Sequence, residues 1–225
     1  MHKRLNTLIA EDEQLLIDPM VAALELISET NSFVDFNITS VLDCDGASEE
    51  IQRGVTSEPL DLILLDMNLK PSSDGRYLSG EDLGLEIRNF FPKAKIVAIT
   101  HHNNNYMLNS ILKSLDPDGF LIKSDMNFAK LIDALKMVID DTPYYSKVIL
   151  KLMRRHMSNE FTIDRTDRLL LHELSKGAKT KHLCDIIPLS TSAIELRKRN
   201  LKRLFKIKDG DDRKLIAKAQ EFGFI

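Results

Sequence analysis

The sequence predicts an α/β domain built on a five-stranded parallel, doubly wound sheet, followed by a small all-α domain. Two observations predict this class. In residues 1–143, five short runs rich in Val, Ile and Leu alternate with stretches of helical periodicity. In residues 144–225, helical patterns follow one another with only short turns between them. With 225 residues, the chain is long enough for two domains of ordinary size.

The five predicted strands are nearly continuous apolar runs, as expected when helices cover both faces of a parallel sheet. They are 5–10, 34–42, 60–65, 94–100 and 119–122. The helices predicted between and after them are 13–28, 46–54, 80–91, 103–114 and 125–140. In the last of these, Leu131, Leu135 and Val138 fall on one face, which predicts packing against the sheet.

The formal net charge of −3 conceals an uneven distribution. Residues 1–143 hold 12 basic and 24 acidic residues, a net charge of −12, whereas residues 144–225 hold 19 basic and 10 acidic residues, a net charge of +9. Such an asymmetry is typical of an acidic module joined to one that binds nucleic acid or another anion.

Composition argues against several classes of protein. Cys44 and Cys184 are far apart, so neither a disulfide framework nor a Cys-rich zinc site is expected. No apolar run approaches the roughly 18 residues that a membrane span needs. The first residues, MHKRLNTLIAEDEQ, do not have the pattern of a secretory signal. We therefore expect a soluble, cytoplasmic protein.

Polar residues follow four of the five predicted strands, at the edge where parallel α/β sheets bind their ligands. They are Glu11 and Asp12, Asp66, Thr100 and Lys123. Two carboxylates about 4 Å apart repel each other by roughly 4 kcal/mol, so three acids at one edge predict a cation among them. Oxygen ligands favour Mg²⁺. A metal beside a carboxylate, a lysine and a hydroxyl suits phosphoryl transfer.

These motifs resemble the receiver domain of two-component response regulators, a flavodoxin-like fold. The resemblance rests on LIAEDE, LILLDMNLKP, KIVAITHH and GFLIKSD and covers about residues 1–140. It implies that a sensor histidine kinase phosphorylates Asp66. It also implies Mg²⁺ as cofactor, with Glu11, Asp12, Asp66 and the backbone carbonyl of Asn68 as ligands.

The same resemblance implies roles for three further residues. Thr100 would move toward the phosphoryl group, and Lys123 would pair with it. Phe120 is similar to the aromatic residue that changes rotamer on activation, although an ordinary core phenylalanine is an equally good interpretation of this residue.

Two features depart from the receiver pattern. The segment KPSSDGRYLSG makes the loop after Asp66 about six residues longer than is usual. This loop, 70–80, is either a tolerated surface insertion or a cover for the site or a kinase contact. The other departure is the pair His101 and His102, which would either modulate access to Asp66 or bind a metal. We favour the first, because adjacent side chains diverge in direction.

The basic half reads as a linker with one short helix, 143–160, followed by a helical domain, 161–225. Gly177 is a plausible end for the helix in DRTDRLLLHELSKG. TKHLCDII, 180–187, reads as a short helix closed by Pro188. Ser190 then offers an N-cap for TSAIELRKRNLKRLF. This order, a short helix followed by a tight turn and a basic second helix, predicts a helix-turn-helix motif. In that motif the second helix enters the DNA major groove.

Residues 161–225 resemble the LuxR-type output domain of NarL/FixJ response regulators, through FT at 161–162, LSKGAKTKHLCDII, SAIELRKRNLKRL and FGFI. Lys198 and Lys202 depart from the family, which usually has Val or Ile at some positions of the apolar seam, the face of this helix that packs on its neighbours. The resemblance implies DNA contacts from both helices of the motif. The candidate residues are Lys179, Lys181, Thr191, Glu195, Arg197, Lys198, Arg199 and Lys202.

We therefore expect a response regulator with a receiver domain at 1–142, in which phosphotransfer to Asp66 controls sequence-specific DNA binding and transcription. It would form a homodimer when phosphorylated and would not be an enzyme by function, although the receiver assists its own phosphorylation and dephosphorylation. The alternative is a signalling adaptor whose basic domain binds a protein. A Mg²⁺-dependent phosphatase is less favoured, because Asn68 stands where such enzymes carry a second acid.

Overall fold

The computed structural model describes residues 3–101, 105–157, 163–207 and 211–225, with the side chains of 155–157 excepted. It divides the chain into two compact units. The first comprises residues 1–102 and 111–149, and the second comprises 103–110 and 150–225. The division between 149 and 150 falls inside the segment 143–160 that the sequence predicts as a linker.

The first unit is built on one parallel sheet with the strand order β2-β1-β3-β4-β5-β6. The parallel α/β class predicted from the sequence is confirmed. The strands are β1 Lys3–Ala10, β2 Val34–Val41, β3 Leu62–Asp66, β4 Lys95–Thr100, β5 Gly119–Ile122 and β6 Tyr144–Tyr145. The sixth strand is an addition to the five predicted. Its two residues pair in parallel with Gly119 and Phe120, and a segment so short has no periodicity to reveal it.

Helices connect these strands. They are α1 Gln14–Thr30, α2 Cys44–Thr56, α3 Gly80–Phe90, α4 Asn105–Leu115 and α5 Phe128–Ile139, with a 3₁₀ turn at Lys123–Asp125. The predicted inner face of α5 is confirmed, since Leu131, Leu135 and Val138 are all buried. They join a core cluster with buried residues of α1 and alternate residues of the strands, such as Leu62 and Leu64.

The strand order sets the geometry of the candidate site. β3 pairs with β1 on one side and with β4 on the other. The carboxyl end of β3, which carries Asp66, is therefore flanked by the ends of β1 and β4. This order brings residues from four distant parts of the chain to one edge.

The second unit contains helical segments around its own core. They are α6 Lys147–Met157, which begins in the first unit, α7 Arg165–Ser175, α8 Thr180–Leu183, α9 Thr191–Leu204 and α10 Asp212–Glu221. The Ser190 cap is confirmed, because its side chain accepts a hydrogen bond from the Ala193 backbone. Gly177, which follows α7, has a φ of +88°, a conformation that only glycine adopts without strain.

Helix α8 is shorter than the predicted 180–187. After Leu183 the backbone hydrogen bonds are mixed. Asp185 N–H to His182 O and Ile186 N–H to Leu183 O have the tighter i→i+3 spacing, whereas Ile187 N–H to Leu183 O has the i→i+4 spacing. Residues 184–187 therefore form turns. The two-helix arrangement of α8 and α9 is kept, because Leu183 and Ile187 still reach the core that contains Ile194 of α9.

Candidate functional sites

The first candidate site lies at the carboxyl edge of the sheet. Four of the predicted residues are almost inaccessible there: Glu11 and Asp66 are each 1% exposed, Thr100 is fully buried, and the Lys123 side chain is 4% exposed. Asp12 lies beside them and is partly exposed. We call these five residues the acidic edge. Charged groups are buried to this extent in proteins only when they are paired or coordinated.

Lys123 is the cation at the centre of the acidic edge. Its Nζ donates to Glu11 Oε1 at 2.7 Å and to Asp66 Oδ2 at 3.0 Å. Burial disfavours the charged form of Lys123, but these two hydrogen bonds and the nearby negative charges outweigh it and raise the pKa of Lys123. Lys123 is therefore a fixed positive charge next to Asp66.

One lysine does not neutralise the acids around it. Ligand oxygens of Glu11, Asp12 and Asp66 all lie within 4.8 Å of one another. Burial, with the charge of Asp66 added, raises the pKa of Glu11 despite its bond to Lys123. Within the described part of the chain, Glu11 Oε2 is buried with no hydrogen-bond partner. A buried, orphaned carboxylate oxygen among two other acids fits a hard divalent cation such as Mg²⁺.

Asn68 and Thr100 complete the surroundings of Asp66. The Asn68 backbone N–H donates to Asp66 Oδ1 at 2.9 Å. The Thr100 hydroxyl donates to Asn68 Oδ1 at 3.2 Å. The Asp66 carboxylate is thus oriented by Asn68 on one oxygen and by Lys123 on the other. Phe120, on β5, is completely buried.

The start of α3 packs directly on the backbone of Asp66. A Cβ atom on Gly80 would lie 1.9 Å from the Asp66 carbonyl oxygen, so only glycine fits there. The long loop before Gly80 is anchored at several points. Tyr77 is buried and donates its hydroxyl to Glu86, and the Ser73 backbone donates to Asp45 at 3.0 Å. The loop is thus anchored to α2 and α3, and residue Lys70 at its start lies 3.8 Å from Asp12.

The structure adds one residue that sequence reasoning missed. Glu13 Oε1 lies 3.1 Å from His101 Nε2 and 3.4 Å from Lys123 Nζ. The run Glu11–Asp12–Glu13 was a signal for it, but only the first two acids were selected from the sequence. His102 lies outside the described residues. Among the described residues, the acids that could hold a metal ion together are Glu11, Asp12 and Asp66, and this group does not include His101.

The second candidate site is helix α9 with the α8 residues before it. The buried residues of α9 are Ile194, Lys198 and Leu201, and Phe205, which follows the helix, is also buried. The side chain of Lys198 is only 7% exposed, unlike the exposed position that its predicted DNA contact needs. Its Nζ lies 2.7 Å from Asp212 and 3.0 Å from both Glu195 and Thr180 Oγ1. Lys198 is thus a seam residue with local partners, and the burial of its side chain argues against a DNA contact.

Two other cations of α9 are also held by carboxylates. Arg197 Nη1 lies 2.8 Å from Asp164 and 2.7 Å from Asp167, at the start of α7. These bonds raise the pKa of Arg197 still further. Lys202 Nζ lies 2.9 Å from Asp212, which also binds Lys198. The positive charge of α9 is therefore partly neutralised within its own domain.

The remaining predicted residues lie on the surface. Lys179, Lys181, Thr191, Glu195 and Arg199 are exposed. A line of exposed residues runs along α9 at helical spacing, opposite the buried face. It consists of Ser192, Leu196, Arg199 and Arg203. Leu196, which is 52% exposed, and Arg203 were not among the residues selected from the sequence.

No protein-family model matches the chain. It is 21% identical over 203 residues to the transcriptional regulatory protein MctR of Rhizobium johnstonii, covering 89% of this chain and 86% of MctR. It is 26% identical over 156 residues to the nitrate/nitrite response regulator protein NarP of Escherichia coli, covering 66% of this chain and 68% of NarP.

The fold is also found among solved structures. RcsB of Salmonella enterica serovar Typhimurium, in a structure bound to promoter DNA with the phosphomimetic BeF₃⁻, superposes with a TM-score of 0.61 at 17% identity, over 96% of this chain and 98% of RcsB. At this identity the match establishes the fold. Taken with the sequence relatives, it confirms the resemblance predicted from the motifs. In sequence and in fold, the chain is similar to the NarL/FixJ-type response regulators, a receiver domain followed by a LuxR-type helix-turn-helix domain.

Proposed function

We propose that this protein is a two-component response regulator in which Asp66 accepts a phosphoryl group from a sensor histidine kinase, and that phosphorylation controls DNA binding and transcription. The observation that carries the proposal is the position of Asp66. Its carboxylate lies between Asn68 N–H at 2.9 Å and Lys123 Nζ at 3.0 Å, beside two further acids. Relatives named as response and transcriptional regulators support this function over the adaptor alternative.

In the transfer, one Asp66 carboxylate oxygen forms a bond to phosphorus while the bond from phosphorus to the donor breaks, and that electron pair leaves with the donor. Glu11, Asp12, Asp66 and the Asn68 backbone carbonyl would hold Mg²⁺, which supplies charge neutralisation when bound. Lys123 would pair with a phosphoryl oxygen, and the Thr100 hydroxyl would donate to another. Thr100 and Phe120 are the proposed switch residues.

Phosphorylation at Asp66 is tested with Asp66→Asn. The protein is incubated with acetyl phosphate and Mg²⁺, and the mass added per chain is followed by intact-protein mass spectrometry. We expect labelling of the wild type and none of the variant. Glu25→Gln, on the exposed face of α1, serves as a control with an equal change of charge. Undiminished labelling of Asp66→Asn would place the phosphoacceptor elsewhere.

For the output domain, we propose that the exposed residues Lys179, Lys181, Thr191, Glu195 and Arg199 contact DNA, with Leu196 and Arg203 added. The ion-paired Arg197 and Lys202 remain weaker candidates. Basic residues here would set affinity through phosphates, and only contacts to base edges would set sequence preference. RcsB, which is similar in fold, has been solved bound to promoter DNA, which supports DNA as the ligand of this domain.

DNA binding is tested by a gel shift of the full chain on random duplex at low salt, followed by selection of bound genomic fragments with and without acetyl phosphate. We expect retarded duplex and, after phosphorylation, a narrower set of fragments bound by a dimer on paired half-sites. Absence of any duplex binding would favour the adaptor.

The proposal extends to organisation and location. We place the receiver domain at 1–142, the linker at 143–160 and the DNA-binding domain at 161–225. Among the described residues, no helix has the length and apolarity needed to cross a membrane. Because a response regulator meets both a sensor kinase and DNA, we propose that this protein acts in the cytoplasm. We also propose that it is not an enzyme by function, although the receiver assists its own phosphorylation and dephosphorylation.

A further inference from the structure

A phosphoryl donor must reach the Asp66 carboxylate from solvent, yet Asp66 is 1% exposed and the Lys123 side chain beside it is 4% exposed. Something must therefore move before the oxygen can meet phosphorus. The candidates are groups that lie at this edge but are themselves accessible, because these can be displaced without unpacking the core.

Glu13 and His101 are such groups. Their side chains are 49% and 57% exposed, and Glu13 Oε1 lies 3.1 Å from His101 Nε2. Glu13 belongs to the connection after β1, and His101 to the connection after β4. Because β3 lies between β1 and β4 in the sheet, their hydrogen bond joins the two connections that flank Asp66. Glu13 Oε1 also lies 3.4 Å from Lys123 Nζ, the group that donates a hydrogen bond to Asp66.

This contact differs from the exposed ion pairs that lie within a single helix. Arg53–Glu50 and Lys218–Glu221 join residues three apart on one helix, where helix geometry alone brings them together. Glu13 and His101 are 88 residues apart in the chain. Only the arrangement of the sheet edge brings them into contact.

We propose that Glu13 and His101 form a latch across the phosphoacceptor edge, which is closed in this structure and must open for a donor to reach Asp66. The proposal rests on the function proposed for Asp66 and adds two positioning residues to it. The sequence suggested that His101 modulates access, and Glu13 provides the partner through which it does so. Exposed pairs of this kind are weak, so the latch slows access without preventing it.

The test measures access to Asp66 without phosphorylation. The full chain, free of Mg²⁺, is treated with a water-soluble carbodiimide and an amine, and modification of each carboxylate is quantified by peptide mass spectrometry. We expect His101→Ala and Glu13→Ala to raise the initial rate of Asp66 modification about two- to fivefold, the range expected for losing one exposed pair. Glu13→Gln retains an acceptor for His101 and should restore most of the protection.

Two references separate the latch from general loosening. In Glu25→Gln, the carbodiimide should modify Asp66 at the wild-type rate. Asp61, just before β3, provides an internal reference in every sample, since its carboxylate is held by the Asn6 backbone. Unchanged Asp66 modification in both alanine variants would overturn the latch, as would an equal rise at Asp61.

The same variants treated with acetyl phosphate and Mg²⁺ separate this proposal from the previous one. If the wild type is phosphorylated and the alanine variants react with the carbodiimide at the wild-type rate, the latch is wrong and the phosphoacceptor stands. If carbodiimide modification rises as expected but no chain is phosphorylated, the latch stands and the proposed function fails.

Discussion

The charges of the two candidate sites are compensated to different extents. At the acidic edge, Lys123 pairs with Glu11 and Asp66, and the exposed Lys70 lies 3.8 Å from Asp12. Glu11 Oε2 remains buried without a partner in the described structure. On α9, carboxylates from neighbouring helices compensate much of the positive charge. Asp212 binds both Lys198 and Lys202, and Asp164 and Asp167 bind Arg197.

The comparison shows that counting charges in a sequence does not locate a ligand. The acidic edge keeps a buried carboxylate oxygen without a partner in the described structure, which a cation from solution would satisfy. Most cations of α9 are paired with carboxylates of the same domain. Its exposed cations without a carboxylate partner in the described structure are Arg199 and Arg203. A ligand is expected where charge remains uncompensated, and this difference can be tested.

The largest expected effect is stabilisation by Mg²⁺. At a free Mg²⁺ concentration of a hundred times Kd, binding to the folded state alone should add about 2.7 kcal/mol to the free energy of unfolding. Glu11→Gln should abolish most of this gain, because it removes one ligand charge. Urea unfolding with and without Mg²⁺ measures both, with Glu25→Gln as the control. An equal gain in Glu11→Gln would mean that Mg²⁺ binds at another place.

The next effect concerns α9. Asp212→Ala removes the shared partner of Lys198 and Lys202 and leaves Lys198 buried with Glu195 and Thr180. We expect a loss of about 2 kcal/mol in the free energy of unfolding, below the 3–5 kcal/mol typical of a fully buried pair. Lys198→Leu combined with Asp212→Ala should recover most of it, since Leu matches the apolar seam. A loss from the single variant below 0.5 kcal/mol, roughly the scale of surface substitutions, would mean that the pair is not needed.

Glu11 and Asp212 should respond to pH in opposite directions. Burial raises the pKa of Glu11 above 4.5. In metal-free protein, its ionisation therefore costs stability as pH rises from 4.5 through the folded pKa, so the stability of Glu11→Gln relative to wild type should rise over that range. A flat difference between pH 4 and 7 would contradict this expectation.

For Asp212, burial favours the neutral form, but Lys198 and Lys202 outweigh it and lower its pKa below 3.8. Its contribution is therefore present above pH 3.8 and lost as pH falls through the folded pKa. The stability difference between wild type and Asp212→Asn should shrink in that acidic range. Unfolding of both proteins in urea at a series of pH values measures it, and a difference that grows toward low pH would contradict the assignment.

The smallest expected effect separates two arginines of α9. Arg199→Ala should weaken duplex binding a few-fold and reduce the slope of log K against log salt by about 0.9, the value for one phosphate contact. Arg197→Ala should change the slope less, because Arg197 is already neutralised by Asp164 and Asp167. Fluorescence anisotropy at four salt concentrations measures both slopes. Equal slopes for the two variants would show that DNA displaces the internal ion pairs.

The parts of the protein that sequence predicted best depend on local patterns. Strands and helices of the first unit follow apolar runs and helical spacing, and the rule that parallel strands end at one edge placed Glu11, Asp66, Thr100 and Lys123 together. The errors have physical causes. β6 has only two residues, the backbone hydrogen bonds after Leu183 mix i→i+3 and i→i+4 spacings, and Lys198 is buried although lysine is usually solvated.

The sequence by itself thus determined the two-part architecture and the chemistry of the acidic edge, because periodicity and strand-end position are encoded within a few residues of each other. The tertiary structure alone decided which charges are compensated. The Glu13–His101 contact spans 88 residues and the Arg197–Asp164 pair spans 33. Such pairs form because packed elements bring distant residues together, and no local pattern in the chain records that.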